Sequence, residues 1–82
     1  MDNRIGVVGI VVEDLTSASD VNAILHEYAS IIVGRMGIPY RERGLSVISL
    51  IVDGNTDQIG AMTGKLGRIK SVSVKSAMTK KG

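Results

Sequence analysis

The sequence has no cysteine, no phenylalanine and no tryptophan, and it has a single histidine among its 82 residues. Without cysteine there is no disulfide, no thiolate metal ligand and no CxxC redox or copper-chaperone motif. The only aromatic residues are two tyrosines, which argues against a sheet that stacks RNA bases on aromatic side chains. The core must therefore be aliphatic, built from Val, Ile, Leu and Met.

The absence of clustered reactive residues also limits enzymatic and metal chemistry. A catalytic histidine needs an orienting acid and a nucleophile, and a metal site needs further ligands; neither set surrounds His26. We therefore predict no enzymatic activity, no metal and no cofactor. The net charge is only +2, and the basic residues are scattered, which argues against a nucleic-acid partner.

No stretch of the sequence has the length or flanks of a membrane or targeting segment. The apolar run at residues 5–12 is too short to cross a bilayer, and Glu13 and Asp14 follow it instead of a small-residue cleavage site. We predict a cytoplasmic protein with no membrane partner.

Hydrophobic periodicity predicts the element order βαββαβ. Strands are expected at 5–12, 31–36, 45–52 and 69–76, with a break at 37–39 and a charged turn at 40–44. Apolar residues at helical spacing predict two helices: Val21, Ile24, Leu25, Tyr28 and Ala29 mark the first, and Ile59, Met62 and Leu66 mark the second. We expect capping boxes at Ser17 with Asp20 and at Asn55 with Gln58, and a left-handed C-cap at Gly67.

This order is that of an α+β, ferredoxin-like sandwich, in which an antiparallel four-stranded sheet carries two helices on one face. Eighty-two residues allow one domain. We predict a single domain over residues 1–82, with a core at 4–76 and a flexible tail at 77–82.

The first and third strands are apolar on both faces, although only one face of such a sheet is covered by helices. An exposed apolar sheet face usually marks an interface, whereas the alternative is β-propensity on a tolerated surface. We expect a homo-oligomer, either a dimer or a tetramer. We assign the interface to one set of alternate residues on these two strands, which share a sheet face: Val8, Ile10, Val12, Ile48, Leu50 and Val52.

Candidate ligand-binding residues occur in three places. Asp14, Thr16, Ser17 and Ser19 precede the first helix, whose N-terminus suits an anion. His26 lies at the margin of that helix. Arg35, Arg41 and Arg43 flank the hairpin around Pro39. Each group also has a structural interpretation, namely cap chemistry, packing at the helix boundary and a solvated hairpin tip. These alternatives remain open from the residues alone.

Four stretches of the sequence carry a resemblance to a known family: 11–14 (VVED), 21–28 (VNAILHEY), 35–39 (RMGIP) and 59–67 (IGAMTGKLG). Over residues 4–76 the chain resembles small bacterial regulators of iron-only hydrogenase systems. That family is ACT-like and similar to the C-terminal domain of nickel-responsive repressors. The resemblance implies association through sheets and a small effector, such as an amino acid, bound at subunit interfaces.

The function that follows is a non-enzymatic regulatory module of an iron-only hydrogenase system. It would act as an oligomer that senses a small ligand or docks on a partner protein. One alternative is a purely structural interaction domain without a ligand. A less favoured one is nucleic-acid binding through the arginines and the C-terminal lysines, which would make binding steeply dependent on salt.

Overall fold

A computed structural model of the chain describes residues 3–79. Six main elements follow one another in the predicted βαββαβ order: β1 (Arg4–Val12), α1 (Ala18–Glu27), β2 (Ile32–Tyr40), β3 (Leu45–Gly54), α2 (Thr56–Gly67) and β4 (Val72–Met78). Among these residues, no helix has the length and hydrophobicity needed to cross a membrane.

The four strands form one antiparallel sheet in the order β2-β3-β1-β4. The two strands in the middle, β1 and β3, are those richest in β-branched residues, which suit a pleated and buried surface. Val8 pairs with Leu50, and Ile10 with Ile48, so that the helix-facing residues of both strands lie side by side. The predicted fold class and the central position of these strands are confirmed.

Both helices pack on one face of the sheet and form the core with it. Val21 and Leu25 of α1 are buried there, as are Ile59, Met62 and Leu66 of α2. These five predicted residues face the sheet, and Ile24 and Tyr28 pack against the core partly buried. Ala29, also predicted for this stripe, lies after α1 and is exposed. The helices also meet at their exposed side, where Lys65 Nζ lies 2.7 Å from Glu27 Oε2 and 5.1 Å from the Tyr28 ring centre.

The predicted interface residues belong to this core, which corrects the sequence assignment. Five of the six, Val8, Ile10, Val12, Leu50 and Val52, are at most 1% exposed, and Ile48 is 7% exposed. Each is covered by the helices of its own chain, so none is available to a second subunit. The helices leave uncovered the side chains on the opposite face of β1 and β3.

Strand β2 does not break at Pro39, as the sequence predicted, but continues to Tyr40. It is an edge strand, and its pairing with β3 includes Pro39 opposite Ser46. Proline is tolerated at an edge because its missing N–H can fall on the unpaired side. A short 3₁₀ turn over Arg41–Arg43 then closes the hairpin, and Gly44 adopts the left-handed φ of 67° that this turn requires.

The helix ends agree with the sequence at one position and differ at two. The capping box of α2 is confirmed, since Asn55 and Gln58 exchange both side-chain-to-backbone hydrogen bonds. Ser17 does not cap α1 through its side chain; its hydroxyl donates instead to the Lys70 carbonyl at 3.1 Å. The left-handed residue after α2 is Ser71 (φ 64°) and not Gly67.

Strand β4 begins later and ends later than predicted. It runs from Val72 to Met78, and the Thr79 backbone N–H donates to the Ile5 carbonyl at 3.0 Å. Ala77 and Met78 are therefore strand residues, and the predicted flexible tail is wrong for them. The rest of that tail, residues 80–82, lies outside the described residues.

Candidate functional site

The sheet surface away from the helices carries most of the large hydrophobic side chains that are exposed within residues 3–79, and we call it the open face. Pairing places residues of all four strands on it. Seven of its side chains are 40–63% exposed in the monomer, among them Val7 (45%), Met36 (63%), Ile38 (55%) and Ile51 (40%). The apolar residues of the open face are Ile5, Val7, Val11, Met36, Ile38, Tyr40, Leu45, Val47, Ile51 and Ala77.

Charged groups on the open face lie at its margins. Asp53 is opposite Ile5 at one end of the β1–β3 pair, and Lys75 lies on the edge strand β4, opposite Gly9. The remaining polar members are Ser49 and Ser73. An interface of stable dimers is depleted of charge at its centre and polar at its rim, and the open face has this distribution.

The open face also has the size of a dimer interface. Strands of nine and ten residues at about 3.3 Å per residue, with neighbours about 4.8 Å apart, give a surface of roughly 30 by 19 Å. Standard interfaces bury about 800 Å² of accessible surface on each partner. A flat rectangle of these dimensions covers roughly 570 Å², which is smaller than that area but of the same order.

The connection between β1 and α1, where four ligand-binding residues were predicted, uses its polar groups internally. Asp14 Oδ1 accepts hydrogen bonds from the Thr16 backbone N–H (3.0 Å) and hydroxyl (2.7 Å). Ser17 is buried, and its hydroxyl donates to the Lys70 carbonyl. Ser19 is exposed within α1. The backbone N–H groups of Ser17 and Ala18 donate to Asp14 and Leu15 in a 3₁₀ turn, so they are not free to bind an anion.

The hydroxyl of Thr16, followed by its backbone N–H, lowers the pKa of Asp14 below its ordinary value of 3.8. Because the pKa is lower in the folded state, this hydrogen bonding stabilises the fold above the ordinary pKa, and the contribution is lost as the pH falls through the folded value. We expect Thr16→Val to raise the pKa of Asp14 toward 3.8. An NMR titration of the Asp14 carboxyl carbon measures it, and an unchanged value would show that the hydroxyl has no such role.

His26 and Arg35 lie together in a cleft between α1 and the start of β2, which we call the α1–β2 cleft. Its volume is about 520 Å³, and its eight lining residues are Asn22, Leu25, His26, Ala29, Ile32, Val33, Gly34 and Arg35. The Arg35 guanidinium donates to Asn22 Oδ1 at 3.1 Å. Two of the predicted ligand-binding residues thus share one concave site, although they are nine positions apart in sequence.

Arg41 and Arg43 are not part of that site. They lie in the turn after the last residue of β2, whereas the α1–β2 cleft is at the beginning of that strand. Both are exposed, as expected for a solvated hairpin tip. The predicted ligand-binding residues therefore lie in three separate places: the β1–α1 connection, whose polar groups are hydrogen-bonded within the chain, the α1–β2 cleft and the hairpin tip.

Sequence reasoning missed Asn22 and the apolar lining of the cleft. Asn22 and His26 are separated by one helical turn, a spacing that places both on one side of α1 and could have been noticed. The β-bulge between Ile32 and Gly34 has no comparable signal in the sequence. Within residues 3–79, no three His, Asp or Glu side chains are grouped so that they could hold a metal ion.

Two solved structures of low sequence identity define the class of fold. The ACT domain of GTP pyrophosphokinase from Chlorobium tepidum matches with a TM-score of 0.75 at 15% identity, covering 94% of this chain and 100% of that domain. A formyltetrahydrofolate deformylase from Pseudomonas putida KT2440 matches with a TM-score of 0.64 at 10% identity, covering 89% of this chain and 28% of the deformylase. The chain has an ACT-like, ferredoxin-like fold.

A further solved structure is much more similar in sequence. The uncharacterized protein TM1266 from Thermotoga maritima is 39% identical, with a TM-score of 0.91 over 95% of this chain and 99% of that one. Residues 4–76 match the profile of the TM1266-like family, whose description is "Iron-only hydrogenase system regulator, putative". The chain belongs to this family. A search of curated proteins gave no match.

Proposed function

We propose that this protein is a cytoplasmic, non-enzymatic regulator of an iron-only hydrogenase system that works as a homodimer and responds to a small ligand. Membership of the TM1266-like family supports the regulatory role. The observation that supports the homodimer is the open face, which has an apolar centre and charged residues at its margin. Two copies stack through this face, and the helices of each point outward.

The energy of burial supports this arrangement. Removing apolar surface from water contributes about 25 cal/mol for each Å², so an interface of standard size offsets the loss of translational and rotational freedom, which costs about 4–15 kcal/mol. A two-fold axis lets one patch pair with itself, which is why symmetric dimers are the commonest oligomers. A second copy is therefore a sufficient partner for the open face.

Complementation in the organism that carries the gene tests the regulatory role. We expect deletion of the gene to change hydrogenase transcript or activity, and the unmodified gene to restore it. A gene with Ile51→Lys, which places a charge on the open face, should fail to restore it. Leu15→Lys is the matched control, because Leu15 is also an exposed aliphatic residue (51%) but lies outside the sheet. A deletion with no effect on the hydrogenase would refute the proposed function.

A further inference from the structure

We propose that the α1–β2 cleft binds a small aliphatic carboxylate and prefers one without an α-ammonium group. The proposal rests on the proposed function, since it names the chemical class of the ligand to which the regulator responds. It differs from the sequence expectation in two respects. The site lies within one chain and away from the β1–α1 connection, and its ligand is a simple carboxylate instead of an amino acid.

The fold directs Arg35 into the cleft. Arg35 lies opposite Leu50, and hence on the helix-facing side of the sheet. On a central strand that position would be buried, but β2 is an edge strand, so the long side chain extends alongside α1 to Asn22 Oδ1. The β-bulge between Ile32 and Gly34 shifts the register just before it. An anchored guanidinium loses less side-chain freedom when a ligand binds.

The charge of Arg35 is not neutralised by its partner. The amide of Asn22 is neutral, and among residues 3–79 no carboxylate forms an ion pair with Arg35. A guanidinium has five N–H donors in a planar fork that matches a carboxylate. One hydrogen bond to Asn22 leaves donors available, and charge-assisted bonds to a carboxylate are roughly twice as strong as neutral ones.

The remaining surface of the cleft suits an aliphatic group. Leu25 is buried at its floor and Ile32 is half-buried, while Ala29 and Val33 contribute exposed apolar surface. Val33 is 69% exposed, the highest value among the large hydrophobic residues of the described range 3–79. The volume of about 520 Å³ is within the range of about 300–1,000 Å³ that is typical of small-molecule sites.

Among residues 3–79, no acid lines the cleft that could bind an ammonium group. Of its eight lining residues, only His26 and Arg35 are ionisable, and both are basic. The Asn22 carbonyl oxygen already accepts a hydrogen bond from Arg35. An amino acid would therefore lose hydration of its ammonium group without gaining an opposite charge, and desolvation of an unpaired charge is unfavourable.

An NMR titration with three matched probes tests this preference on the full chain. Sodium 4-methylpentanoate carries the carboxylate, 4-methylpentanamide replaces it with a neutral amide, and L-leucine adds only the α-ammonium group. We expect the carboxylate to shift the backbone amide signals of Asn22, Ala29 and Gly34, and to bind roughly tenfold more tightly than either other probe. Equal binding of acid and amide, or tighter binding of L-leucine, would overturn the proposal.

Two variants test the role of Arg35, with a third as control. Arg35→Gln removes the charge, and Asn22→Asp keeps Arg35 but supplies it with an internal carboxylate; each should weaken 4-methylpentanoate binding roughly tenfold. Arg43→Gln removes the same charge from the hairpin tip, outside the cleft, and should leave binding unchanged. Equal loss in all three variants would reveal an effect of net charge alone and contradict the proposal.

The same titration on Ile51→Lys separates this proposal from the dimer. The cleft is formed by a single chain, so a monomeric variant should bind 4-methylpentanoate as well as the unmodified protein does. If the unmodified protein is itself a monomer and binds 4-methylpentanoate through Arg35, the cleft is supported and the dimer is refuted. A dimer that binds none of the three probes would refute the cleft and leave the dimer intact.

Discussion

Replacing Ile51 with lysine is expected to convert the proposed dimer to a monomer without unfolding the chain. Ile51 lies near the middle of the open face, opposite Val7 on one neighbouring strand and Gly34 on the other. In the monomer its side chain is 40% exposed, so the lysine amine reaches water. In a stacked dimer the amine would be removed from water within an apolar interface, and that costs several kcal/mol.

Light scattering at matched protein concentration measures the effect, and far-ultraviolet circular dichroism confirms that the variant is folded. Leu15→Lys adds the same charge to an aliphatic residue of similar exposure (51%) on the 3₁₀ turn before α1. It should leave the mass unchanged. If the two variants have the same mass as the unmodified protein, the open face is not the interface.

Replacing Leu50 with alanine is expected to have the largest effect on stability. Leu50 is fully buried between the sheet and the helices and lies next to Ile51 in β3, on the opposite face. Truncating a buried leucine typically costs about 2–5 kcal/mol, and a domain has only about 5–15 kcal/mol of total stability. Urea denaturation followed by circular dichroism measures the change, and the variant is expected to be largely or partly unfolded at moderate temperature.

The matched control for Leu50→Ala is Val47→Ala, made on the same strand but on the open face, where Val47 is 42% exposed. Both are best measured in the Ile51→Lys protein, because association would otherwise contribute to stability through mass action. Val47→Ala should cost less than about 1 kcal/mol there. Equal losses at the two positions would contradict the assignment of the two sheet faces.

The two faces of β1 and β3 show where sequence reasoning reaches its limit. Their β-branched residues were sufficient to predict strands and a central position, whereas burial of both faces stays a prediction. The sequence could not decide which set of alternate side chains faces the helices. Successive side chains point to opposite faces, and on these strands both sets are apolar. The prediction chose Leu50 and its neighbours for the interface. In the structure the helices cover that set, and Val7, Val47 and Ile51 remain exposed.

A local sequence pattern predicted the helix start correctly where two residues cap each other. Asn55 and Gln58 satisfy each other's backbone donors, and such a pair can be recognised from spacing alone. Ser17 with Asp20 has the same spacing but forms no capping box. A 3₁₀ turn precedes α1, and the Ser17 hydroxyl donates a hydrogen bond to the Lys70 carbonyl. That contact spans most of the chain, so no local pattern contains it.

The candidate ligand site was predicted only in part for a related reason. His26 and Arg35 were identified as separate candidate ligand-binding residues, but their proximity depends on how α1 lies against β2 and on the bulge between Ile32 and Gly34. The sequence pattern favoured the residues before α1 as ligand-binding candidates. Their hydrogen bonds turn out to be used within the connection, as Asp14 and Thr16 show.

The central claim is that the open face joins two copies of this chain. The most direct test is the mass of the unmodified protein by light scattering, measured over a dilution series. The account predicts twice the mass of one chain at high concentration, with any dissociation following mass action on dilution. A mass of one chain at every concentration would contradict it, and would leave the open face as a surface for a different protein.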